Sequence, residues 1–97
     1  MAITVLEAPV AADRVNDLER AYREMTAQIP SDIIETFLVR DTRDASVFRI
    51  ITVWVSREKL ERMRASGVKP TGVKIFEAAG ATPTLSIFDV IVHREQK

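Results

Sequence analysis

The sequence predicts an α+β domain: an antiparallel sheet with helices on one face, in the order strand, helix, strand, strand, helix, strand. Three observations predict it. The stretch Ile33–Ser56 holds two β-branched and aromatic runs, Ile33–Val39 and Val47–Val55, joined by the polar DTRDAS. That is the pattern of an antiparallel hairpin with a loop of several residues. Ahead of it, Val15, Leu18, Tyr22, Met25 and Ile29 recur at helical spacing. Behind it come a second helical stretch and a last apolar run, Leu85–His93.

Each element has its own justification. Ile3–Ala8 is a short strand closed by Pro9. Asp13 is placed to cap the first helix, whose opposite face (Arg14, Asp17, Glu19, Arg20, Arg23, Glu24) is charged and reads as solvated; Pro30 ends it. Tyr22 falls in the apolar stripe, as a core residue with its hydroxyl at the edge. Ser56 is a cap for the second helix, Glu58 suits its positive end, Leu60 and Met63 form a narrow apolar edge, and Gly67 is a natural stop. VKPTGVKIFEAAG reads as a loop around Pro70 and a short helical piece, with Thr71 as cap, Val73 and Phe76 inward, and Gly80 at its end. Pro83 leads into the final strand. With right-handed crossovers this order gives a ferredoxin-like βαββαβ sheet. No repeat or linker interrupts it, so residues 1–97 are expected to be one domain.

Neither hairpin run alternates cleanly. Val47, Phe48, Ile50, Ile51, Val53, Trp54 and Val55 put apolar groups on both sides of the strand, and Leu85–His93 does the same. Helices cover only one side, so a lone subunit would expose an apolar sheet face of roughly several hundred Å². A two-fold homodimer is the expected remedy.

Composition narrows the function classes. Fourteen acidic and fourteen basic residues give a net charge of zero, which argues against nucleic acid or an anionic membrane as main partner. The absence of cysteine excludes disulfides, thiolate metal sites and a cysteine nucleophile, and a single histidine is too few for the usual zinc ligand sets. Gly67, Gly72 and Gly80 form no phosphate-cradling fingerprint. MAITVLEAPV has no basic leader, and no run approaches membrane-spanning length; a cytoplasmic protein is the expectation.

The run VFRIITVWVSREKLERMRASG resembles the hairpin strand and following helix of the antibiotic biosynthesis monooxygenase family. The sharp part of the resemblance spans about Phe37 to Ser66 and centres on Ile50-Ile51-Thr52-Val53-Trp54-Val55-Ser56. It implies a dimeric α+β barrel, and an oxygenase of small planar aromatics that needs no cofactor and no metal. Where the family's haem-degrading branch carries Asn, Trp and His, this chain has Leu6 or Glu7, Met63 and about Val73. Those side chains cannot do the same work.

The candidate site residues follow from chemistry. Asp89 interrupts LSIFDVIV; a carboxylate there must be paired, hydrogen-bonded or facing a cavity or solvent, so it is either an interface partner or a proton acceptor in a dry pocket. Glu35 is the second acceptor candidate, and could instead pair with Arg49 across the hairpin, depending on a one-residue register. Trp54 is either core or, with Phe37, Met63 and Phe76, the wall of a pocket against which a planar aromatic lies. His93 reads as a surface residue. A non-catalytic ligand-binding dimer and an acid–base isomerase or cyclase are the competing readings.

Overall fold

The computed structural model describes residues 1–96. Strands β1 (Ala2–Pro9), β2 (Ile33–Arg40), β3 (Val47–Trp54) and β4 (Thr84–Asp89) form one sheet in the order β2-β3-β1-β4, every neighbouring pair antiparallel. Helix α1 (Val15–Met25) joins β1 to β2, and helices α2 (Arg57–Ala65) and α3 (Thr71–Ala78) join β3 to β4. This is the ferredoxin-like α+β arrangement expected from the sequence.

Strand alternation assigns the two faces. Ala2, Leu6 and Ala8 on β1, with Phe48, Ile50 and Trp54 on β3, are buried beneath the helices. Leu18 and Ala21 of α1 and Ile75 and Phe76 of α3 complete the main core, while Leu60 of α2 packs with Ala2 and Trp54 at the other end of the sheet. The opposite face carries Ile3, Val5, Phe37, Ile51, Val53 and Phe88, with Phe37 44% and Phe88 53% exposed. The expected apolar outer face is therefore present.

Local signals set most boundaries. The Ser56 hydroxyl accepts from the Lys59 amide at 3.2 Å and caps α2. Gly67 follows that helix at φ +76°, the left-handed region open to glycine. Four expectations are corrected. Helix α1 ends at Met25, not at Pro30: the Thr26 backbone leaves the helical region at φ −108°, and the Thr26 hydroxyl bonds back to the Tyr22 carbonyl. Asp13 lies in a 3₁₀ turn, Ala12–Arg14, and caps nothing. Thr71 is the first helical residue of α3, with Pro70 at the cap position. Strand β4 stops at Asp89 and does not run to His93. Its last ladder pair is Asp89 with Ala2 of β1, and the Val90 amide then bonds the Met1 carbonyl.

Candidate functional site

Between the inner sheet face and the helices lies a cavity of about 360 Å³. Its floor is strand side chains: Thr4 and Leu6 from β1, Thr36 from β2, and Ile50, Thr52 and Trp54 from β3. Leu60 and Met63 of α2 and Val73 and Ile75 of α3 wall it, and Met25, Ile29 and Pro30 border it because α1 ends early. The lining surface is mostly apolar, as small-molecule sites usually are, with Thr26, Gln28, Arg64 and Thr71 adding polar side chains at its borders.

The polar groups of the floor are ordered. Trp54 Nε1 donates to Thr4 Oγ1 at 3.0 Å, and the Thr36 and Thr52 hydroxyls lie 3.2 Å apart. Thr4, Thr52 and Thr36 are cross-strand partners in one row over β1, β3 and β2. Thr4 and Thr52 are buried. Asp32, just ahead of β2, is the carboxylate on the cavity lining, and Lys59 Nζ stands 3.5 Å from it.

The structure brings two of the expected wall residues to the cavity, Trp54 and Met63. It does not bring the others. Phe76 is fully buried in the main core and is not on the cavity lining, to which α3 contributes Val73 and Ile75. Phe37 sits on the outer sheet face, opposite Ile51. Glu35 is exposed on that same outer face; a bulge between Ile33 and Glu35 sets its parity. It does share a face with Arg49, but Arg49 bonds Glu7 and Asp41 instead. Asp89, at the exposed end of β4, accepts from Arg57 Nη1 at 2.9 Å and does not reach the cavity. His93 lies exposed beyond β4.

Asp32 and the threonine row escaped sequence reasoning. The available signal was three threonines in three strands, which become one row only once the register is known.

A second hollow, about 420 Å³, lies between α1 and β2 beside Tyr22 and Leu38. It is an open surface groove edged by Glu19, Arg23 and Arg40, with a smaller apolar lining than the first. No helix of the described residues is long and apolar enough to cross a membrane.

No family model matches the sequence, and no curated protein matches it either. Solved structures do match. A Deinococcus radiodurans protein provisionally assigned as an antibiotic biosynthesis monooxygenase aligns over 100% of this chain and 99% of its own, with TM-score 0.71 and 14% identity. A variant of SnoaB, a cofactor-independent oxygenase from Streptomyces nogalater, aligns over 98% and 97%, with TM-score 0.70 and 15% identity. A variant of MhuD with two manganese protoporphyrin IX molecules per active site aligns over 99% and 100%, with TM-score 0.69 and 16% identity. The chain therefore has the fold shared by the antibiotic biosynthesis monooxygenases, over its whole length.

Proposed function

We propose that this chain forms a homodimer through its outer sheet face and binds a planar aromatic molecule in the cavity between sheet and helices. We further propose that it oxidises that molecule with dioxygen, without a cofactor. The observation that carries this reading is the cavity itself. It sets the Trp54 indole and the Met63 thioether against a partly open, mostly apolar space, in a fold also used by the cofactor-independent oxygenase SnoaB.

Such chemistry asks little of the protein beyond desolvation, orientation and a proton acceptor. A methylene flanked by aromatic rings loses a proton to the acceptor, and the carbanion then reduces dioxygen. One oxygen atom ends as the new carbonyl, the other leaves as water, and the electrons of the two broken C–H bonds balance the reduction. Asp32 is the acceptor we assign, in place of Asp89 and Glu35, because it is the acidic residue on the cavity lining. Among the described residues, no imidazole, thiolate or phenolate borders the cavity to hold a haem iron, so no step is routed through haem.

Oxygen uptake with anthrone tests the assignment. Uptake by the native protein that is lost in Asp32→Asn and kept in Asp89→Asn supports it. Uptake unaffected by Asp32→Asn removes the role of Asp32. Binding of anthrone without any uptake leaves a ligand-binding dimer, a reading favoured by one observation: Lys59 already partners the Asp32 carboxylate.

A further inference from the structure

We propose that helix α2 is a lid: residues 56–68 swing off the sheet as a unit while the rest of the fold stays closed, and a ligand enters and leaves the cavity through that opening. The gating half rests on the binding reading given above; the opening itself does not.

Packing carries the argument. The buried side chains fall into two clusters. Helices α1 and α3 share the main one, through Leu18, Ala21, Ile75 and Phe76. Helix α2 adds its buried residue to the smaller cluster, and of its nine residues only Leu60 is buried. Met63 is half-buried beside it. The cavity borders both clusters, taking Leu6, Ile50 and Ile75 from the first and Trp54, Leu60 and Met63 from the second. A helix held by one buried side chain opens at a lower free energy than helices that share a core. Its loss leaves the α1–α3 packing untouched.

The segment has a joint at each end and two latches between. The Val55 amide bonds the Asp32 carbonyl at 2.9 Å, the last tie to the sheet before α2 begins. At the other end Gly67 takes φ +76°, and a β-carbon built there would meet nothing within 4 Å. Lys69 then fastens the chain to α3 through Glu77 at 2.9 Å. The latches are exposed ion pairs, Arg57 to Asp89 at 2.9 Å and Lys59 to Asp32 at 3.5 Å. Glu61 meets Arg57 and Arg64 within the helix, at 3.8 and 3.6 Å, and tethers α2 to nothing else. Exposed pairs are weak, so such latches release readily. Opening carries Leu60, Met63 and Arg64 out of the cavity wall, while Thr26, Gln28 and Thr71 stay in place. Lys59 rides on α2, so Asp32 meets its cation only when the lid is shut.

Hydrogen exchange in the ligand-free protein, followed amide by amide against urea, tests the opening. The amides of residues 60–65 are expected to share one level of protection, at least about tenfold below that of α1 and β3, with a smaller urea slope. Protection equal to that of the core, or rising steadily inward from each helix end as in fraying, overturns the lid. Stopped-flow quenching of Trp54 fluorescence by anthrone tests the gate. Arg57 and Asp89 are not on the cavity lining, and their pair is present in the closed state with or without ligand. Arg57→Gln is therefore expected to speed anthrone association and dissociation together, by about two- to fivefold, the scale of one exposed ion pair, with Kd unchanged. Arg57→Lys, which keeps the charge, is expected to retain the slow rates. Association unaltered by Arg57→Gln overturns the gating role. Anthrone that fails to quench Trp54 overturns the binding reading and the gating half with it, while exchange still decides the opening.

Discussion

Gly72 and Leu6 meet so closely that a β-carbon on Gly72 would overlap Leu6 Cδ1. The first turn of α3 thus lies on the cavity floor with no room for a side chain between them. Leu6 Cδ1 is the free end of a flexible side chain, and both residues border the cavity. Gly72→Ala is therefore expected to push the leucine into the space a ligand would fill. Alanine is the better helix former by up to about 1 kcal/mol, which offsets the local crowding. The melting temperature should stay close to native, while anthrone affinity should fall about tenfold, the scale of one misplaced methyl group in a pocket. Thermal unfolding, and quenching by anthrone of the fluorescence of Trp54, the chain's single tryptophan, check both halves on the same sample. An unchanged affinity would mean that Leu6 moves elsewhere.

The Trp54–Thr4 hydrogen bond makes a second prediction, about stability. Both side chains are buried, Trp54 at 8% and Thr4 at 7% exposure. Thr4→Val removes the acceptor and leaves the indole N–H without a partner, which costs about 1–3 kcal/mol. Thr4→Ser restores the hydroxyl and should recover most of that. Trp54→Phe with Thr4→Val removes both ends together, so the double variant should lose less than the sum of the single variants. Urea unfolding followed by circular dichroism measures all four. Additive losses would show that the bond contributes nothing of its own.

What was legible in the sequence is what local chemistry decides. The hairpin announced itself because β-branched residues crowd Ile33–Val39 and Val47–Val55, and Ser56 capped α2 because a cap needs only its own next turn. The outer face was legible too, since strands with two apolar sides must show one of them. The site was harder, because its members meet only through tertiary geometry. The extent of β4 is set by its pairing with β1, which closes at Asp89 with Ala2, so Asp89 falls beside Arg57 at an exposed strand end and not in an apolar interior. One bulged residue near Ile34 decides the face of Glu35, and with it that of Phe37. Val73 and Phe76 share one face of α3, so helical spacing could not tell that Val73 would line the cavity while Phe76 filled the core. Asp32 carries no motif; it borders the cavity only because β2 starts where it does.

The outer sheet face predicts a self-association that one charge can break. Ile51 lies at the middle of β3 on that face, with Phe37 opposite it on β2 and Val5 opposite it on β1. In a dimer closed through this face, Ile51→Lys buries an ammonium with no partner, at a cost of about 3–5 kcal/mol. Sedimentation velocity at micromolar protein should show the native chain as a dimer and the variant as a monomer. The inner core does not contain Ile51, so the far-ultraviolet circular dichroism of the variant should remain native-like. A native protein that sediments as a monomer ends the dimer reading.

The hairpin loop predicts how stability depends on acid. Asp41 Oδ1 accepts from Arg49 Nη1 at 2.8 Å, while Oδ2 accepts the backbone amides of Asp44 at 2.8 Å and Arg43 at 2.9 Å. The Arg49 hydrogen bond first, then those amides, hold the Asp41 carboxyl below its ordinary value of 3.8. The Ser46 hydroxyl and then the Ser46 amide do the same for Asp44. An unfolded chain takes up these protons at the ordinary value, and the folded chain resists until lower pH. Across that window the unfolded state binds more protons, so stability falls as pH falls. The contribution is complete above about pH 5 and fades as the pH drops through 3.8 toward the folded-state values. Both carboxylates are at the surface, so added salt should shrink the part due to charge. Asp41→Asn keeps an amide-accepting oxygen but loses the charge facing Arg49. It should lower the melting temperature at pH 7 and also flatten the decline between pH 5 and 3. Melting curves at these pH values for both proteins check this, and parallel declines would place the acid sensitivity in other carboxylates.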